Sequence, residues 1–144
     1  MDSKAAFAAE VFKTFNCAQA VLLSHCEEYG LPQTIAKKIS CGFGGGMGYS
    51  GETCGAVSGA IMLIGLKYGR FEEADRESKG KTYTLAKKLT DKFKEEFGSI
   101  HCFELIKYNL ANDEEREKAR KSGIFKELCP ALVKRAVELA EELL

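Results

Sequence analysis

The sequence predicts an all-α fold: a single-domain helical bundle over residues 1–144, with a glycine-rich loop ahead of its central helix. Three observations lead there. Ala, Leu, Glu and Lys together number 63 against 18 for Val, Ile and Thr, with two prolines, a usage that favours helix over sheet. Apolar residues recur at helical spacing in the long segments, and no segment alternates convincingly as a strand. Capping and stop residues punctuate the chain where those segments begin and end. At 144 residues, 45% hydrophobic and 29% charged, the chain fits one globular domain with a sizeable core, without internal repeats or a dividing linker.

The elements follow in order. Phe7, Val11, Phe12 and Phe15 mark a first helix from Ser3 to Lys13, with Ser3 as its N-cap. Asn16 and Gln19 have the spacing of a capping box, opening a second helix from Cys17 to about Tyr29 that Gly30 closes in the left-handed C′ position. A short helix from Pro32 to about Ser40 leads into the segment 42–51, which holds six of the 14 glycines. A third long helix is expected from about Glu52 to Tyr68, and a fourth from Glu72 to Phe97 with Leu85, Leu89, Phe93 and Phe97 at i+4 steps. Ser99 is placed to cap a short helix over Ile100 to Tyr108, and Asn112 another from Asp113 to Lys121. Pro130, at the first helical position, opens the last helix, which should bury Leu132, Val133, Ala136, Val137 and Ala140.

Charge and cysteine content narrow the function. Lys plus Arg equals Asp plus Glu at 21 each, so no face is expected to attract nucleic acid or anionic lipid non-specifically. The longest uncharged apolar stretch, Ala56 to Leu66, is shorter than the roughly 20 residues that cross a bilayer. The polar start and the absence of a signal-peptide core place the protein in the cytoplasm, where thiols rest reduced. Six cysteines are about 4% of the chain, below the density of a disulfide scaffold.

Four of the six fall at expected helix starts: Cys17 after Asn16, Cys54 shortly after Ser50-Gly51, Cys102 after Ser99, and Cys129 just before Pro130. A helix N-terminus carries about half a positive charge and spare N–H donors, so each of these sulfurs is expected to be activated toward thiolate. Cys26 and Cys41 fall within or at the end of helices and read as buried packing residues. The four lie 37, 48 and 27 residues apart, which excludes zinc-finger, Cys-x-x-Cys and c-type haem spacings. Any shared site must be assembled by the fold.

Gly51, Gly55 and Gly59 repeat at i+4, a side-chain-free stripe for close helix packing or for backbone approach to a bound group or a second copy of the chain. Two phosphate-loop patterns, Gly46-x-Gly48-x-x-Gly51 and the Walker-like Gly46 to Thr53, are rejected: no strand precedes them, and Glu52 stands where the phosphate-binding lysine belongs. His101 abuts Cys102, and His25 reads as a helix-surface residue near Cys26; neither neighbour proves a role. The run 112–121 reads as a solvated helix with Glu117 and Lys121 paired at i+4.

At Asn16-Cys17-Ala18-Gln19-Ala20-Val21-Leu22, Gly42 to Gly48, Cys54-Gly55-Ala56-Val57-Ser58-Gly59-Ala60, Cys102 and Cys129-Pro130, the chain resembles the C_GCAxxG_C_C family of redox-active proteins over nearly its whole length. The family label writes GCAxxG, whereas this chain reads CGAVSG. The resemblance makes Cys17, Cys54, Cys102 and Cys129 the signature cysteines and leaves Cys26 and Cys41 as extras. It extends distantly to the split-Soret cytochromes, which carry haem and an iron–sulfur cluster. With no haem-attachment motif here, haem is not expected. The reading that results is a redox protein with an unidentified redox partner, in which the four cysteines converge, with Gly55 and Gly59 giving close approach. They would hold an iron–sulfur cluster, or zinc, or act without metal as thiol–disulfide groups. The competing reading is a helical binding module whose cysteines pack or hold a structural metal.

Overall fold

The computed structural model describes residues 3–144 and folds them into eight helices with no strand. These are α1 (Lys4–Val11), α2 (Cys17–His25), α3 (Gln33–Ser40), α4 (Gly55–Tyr68), α5 (Arg76–Phe97), α6 (Cys102–Ile106), α7 (Asp113–Ser122) and α8 (Cys129–Leu143), joined by short turns. No helix among the described residues is long and apolar enough to cross a membrane.

Local chemistry sets the boundaries. Ser3 Oγ accepts from Ala6 N–H (3.0 Å) at the start of α1. At α2 the capping box is complete: Asn16 Oδ1 accepts from Gln19 N–H (2.9 Å) and Gln19 Oε1 from Asn16 N–H (3.0 Å). The same two side chains also donate to the carbonyls of Cys41 (2.8 Å) and Lys37 (2.9 Å), fixing the end of α3 against the start of α2. Past His25 the second helix tightens into a 3₁₀ turn, Cys26–Tyr29, that stops at Gly30 with φ +83°. Asp75 caps α5 by accepting from Ser78 N–H (3.0 Å), so that helix begins at Arg76 and not at Glu72.

Two further departures come from one non-local pairing. Thr53 and His101 form an antiparallel bridge, flanked by Cys54 N–H donating to Ile100 O (2.6 Å) and Cys102 N–H to Glu52 O (2.6 Å). The residues 52–54 are therefore extended, and α4 starts at Gly55, three residues later than periodicity suggested. Gly51 lies outside the helix with φ +72° and is no part of its stripe. Ser99 Oγ accepts from His101 N–H (2.9 Å) inside this crossing and does not cap α6, whose first residue is Cys102. In α8, Cys129 takes the first helical position and Pro130 the second.

The helix α4 is the centre, packed against α2, α5 and α8, with α1 closing over α2 and α8. Leu22, Leu63, Ile64, Leu89, Phe93 and Val133 are fully buried there, each worth about 1.5–3 kcal/mol of apolar transfer. All five residues expected to be buried on α8 are buried. A second, smaller core gathers Ile106, Leu110 and Ala119 beneath α6 and α7, with Phe125 against it. The site lies at the seam between the two cores.

Candidate functional site

Cys17, Cys102 and Cys129 are the first residues of α2, α6 and α8, and Cys54 is the N-cap of α4. All four line one cavity of about 480 Å³. Cys17 and Cys54 pack with the main core, Cys102 and Cys129 with the smaller one, so the sulfurs face each other across the seam. All six cysteines are free thiols. Cys26 is buried in the main core away from this cavity. Cys41 is exposed, contrary to its reading as a packing residue, because the 3₁₀ turn after α3 presents it to solvent.

Glycines let the backbone reach the sulfurs. A methyl group on Gly55 would run into Cys17 Sγ, and one on Gly46 would stand 2.8 Å from Cys102 Cβ. Gly46 is reached through consecutive left-handed residues, Gly45 (φ +64°) and Gly46 (φ +67°), a path open to glycine at little cost. A methyl group on Gly59 would stand 2.8 Å from Ala18 O and 3.0 Å from Val21 Cβ, so its role is the contact between α2 and α4. Gly55 and Gly59 thus spend their bare face within the chain.

The four sulfurs differ in state. Cys17 is held below the ordinary thiol range: the Cys54 thiol hydrogen-bonds to it, and N–H groups of Ala18, Gly55 and Cys17 itself add to that, against the opposing cost of burial. Cys54 is pushed well up, chiefly because its thiol proton serves Cys17, then by burial. Burial raises Cys102 to about 11 and Cys129 to about 12, with the charge on Cys17 adding to both. The expectation that four helix starts would activate four sulfurs is therefore corrected. At Cys102 and Cys129 desolvation outweighs the dipole, Cys54 keeps its proton chiefly for its hydrogen bond to Cys17, and only Cys17, with two helix starts donating to it, favours thiolate.

Other walls were not singled out by the sequence. Phe12, Phe15, Leu105, Phe125 and Leu132 supply apolar surface, and Tyr49 from the glycine segment joins them. Arg116, Glu117 and Arg120 of α7 reach the same cavity, although that helix reads as merely solvated. His101 lies outside the cavity, in a separate polar groove with Glu52 and Glu104. His25, expected on a helix surface, is 9% exposed, its ring held between Glu28 (2.9 Å) and Glu141 (3.0 Å), where it ties α2 to α8. Among the described residues no group of three or more His, Cys, Asp or Glu stands in the arrangement that grips a single metal ion.

Fold and site define a class: small all-helical proteins in which four cysteines, each at a helix start, gather round one cavity. The chain belongs to the C_GCAxxG_C_C family, whose model, described as "Putative redox-active protein (C_GCAxxG_C_C)", matches residues 15–143. No curated protein and no solved structure matches it.

Proposed function

We propose that the chain is an electron-transfer protein in which Cys17, Cys54, Cys102 and Cys129 ligate an iron–sulfur cluster. The observation that carries this reading is the convergence of four cysteines, from four separate helix starts, on one largely apolar cavity. The donor set suits the group: four soft sulfur ligands, bare glycine backbone against two of them, and walls poor in competing oxygen ligands, Glu117 being the sole carboxylate among the described residues. Bound there, a cluster supplies reversible one-electron chemistry. The Ala18 and Gly55 N–H groups donate to Cys17 sulfur, spreading its negative charge, while the phenylalanine and leucine walls surround the sulfurs with apolar surface.

A second reading is favoured by the unequal pair Cys17 and Cys54. Without metal, Cys17 thiolate attacks one sulfur of a disulfide substrate and releases the other as thiolate. Cys54 then gives up its proton and attacks Cys17 of the mixed disulfide, freeing the second substrate thiol and leaving a Cys17–Cys54 disulfide.

Anaerobic purification followed by a visible spectrum and iron, sulfide and zinc analysis, on wild type and Cys54→Ser, separates these readings. Near-stoichiometric iron and sulfide that fall in the variant support the cluster. Zinc alone replaces it with a structural site. Metal-free protein in which Cys54→Ser accumulates a mixed disulfide at Cys17 supports thiol exchange in its place.

A further inference from the structure

We propose that the cavity beside the cysteines is also a binding site for a small planar aromatic molecule carrying one anionic group. A volume of about 480 Å³ lies within the roughly 300–1,000 Å³ of small-ligand sites. Its walls beyond the sulfurs offer four aromatic rings, Phe12, Phe15, Tyr49 and Phe125, which favour stacked or edge-on contact with another ring system.

Tyr49 is fixed in place for this. Its backbone is left-handed (φ +68°), its ring lies so close to Gly45 that a methyl there would stand 2.6 Å from Cδ1, and the Arg116 guanidinium covers it at 4.5 Å. A non-glycine residue held at positive φ costs free energy that the surrounding contacts must offset, and such residues concentrate at binding sites.

The charge points the same way. Among the described residues two arginines and one carboxylate, Glu117, line the cavity. Arg116 spends two N–H groups on Leu110 O (2.8 Å) and Asp113 (2.7 Å), and Arg120 pairs with Glu117 through Nε (2.9 Å) and one terminal nitrogen. A guanidinium has five N–H donors, so each arginine keeps donors for a carboxylate, sulfonate or phosphate. This site goes beyond the redox reading and does not rest on it.

The test is a fluorescence titration of the anaerobically purified protein with 8-anilinonaphthalene-1-sulfonate, an aromatic anion, and with its neutral counterpart N-phenyl-1-naphthylamine. Saturable binding of the sulfonate at one site is expected. Leu105→Trp, which fills the cavity from a half-buried position, should weaken both probes about tenfold or more, and the double variant Arg116→Gln/Arg120→Gln should weaken the sulfonate alone by about tenfold. Circular dichroism confirms that each variant is folded. Absence of saturable binding to folded wild type, or binding unmoved by Leu105→Trp, overturns the site; equal response of the two probes to the arginine variant overturns its anionic part. Iron measured on the same samples keeps the two proposals apart, since sulfonate binding without iron sinks only the cluster and iron without sulfonate binding sinks only the ligand site.

Discussion

Replacing Gly55 with alanine drives a methyl group into Cys17 Sγ and leaves it 2.9 Å from Ala18 N and 3.0 Å from Phe43 O. Cys17 Sγ can rotate away, but the two backbone atoms belong to the start of α2 and the turn after α3 and cannot yield singly. Overpacking of this kind costs about 1–3 kcal/mol. Alanine recovers little helix propensity at the first helical position, so the net loss is about 1–3 kcal/mol, or roughly 3–10 °C in Tm for a chain of this size. The matched control is Gly65→Ala, further along α4, where a methyl meets nothing within 4 Å. There only the propensity gain of about 0.5–1 kcal/mol remains, and Tm should rise by roughly 2–4 °C. Thermal unfolding by circular dichroism reads both, and alkylation of Cys17 should slow in Gly55→Ala as the sulfur leaves the Gly55 N–H. A Gly55→Ala protein as stable as wild type, with Cys17 reacting at its usual rate, would refute the close approach of α4 to Cys17.

In reduced, metal-free protein near pH 8, iodoacetamide should modify Cys17 well before Cys102 and Cys129; with these at about 11 and 12, their thiolate fractions are roughly one in a thousand and one in ten thousand. Mass spectrometry of the labelled peptides gives the order, and equal rates for Cys17 and Cys129 would contradict it. The same raised groups make stability pH-dependent: above about pH 9 the folded chain retains protons that the unfolded chain releases, so this contribution is complete below 9 and fades as pH climbs toward 11 and 12. The urea midpoint should therefore fall over that window, and fall less steeply in Cys129→Ala. Asn16→Ala removes both the cap on Gln19 N–H and the tie to Cys41 O and should cost about 1–2 kcal/mol in urea unfolding, whereas Asn16→Asp keeps the cap but sets an acceptor against Cys41 O and should recover only part of it.

Much of the fold was legible because its signals are local. The Asn16 and Gln19 capping box, the Asn112 cap on α7, the glycine at 30 and the apolar stripe of α8 each act within four residues. The crossing of residues 51–54 with 100–103 was not legible, since it joins segments nearly fifty positions apart through a single bridge with no periodic trace. It moved the start of α4 and reassigned Ser99. The four cysteines were visible at helix starts, but the dipole of a helix can be read from sequence, whereas the apolar wall around Cys102 and Cys129 is built by the turn after α1, by α6 and by the turn after α7. Arg116, Arg120 and Tyr49 were missed for the same reason, because only the tertiary fold turns α7 and the glycine segment toward one another.

The two-and-two division of the sulfurs has a consequence for local opening. Residues 102–128 centre on the small core of Ile106, Leu110 and Ala119 and join the rest of the chain at the Thr53–His101 bridge and the start of α8, so they are expected to open as one unit. Its amides should exchange with deuterium through partial detachment, at a lower free energy than those of α4 and α5. A bond that joins Cys17 or Cys54 to Cys102, through metal or directly, ties that unit to the main core. The protection of α7 in a hydrogen-exchange experiment would then report the chemical state of a centre to which α7 contributes no sulfur.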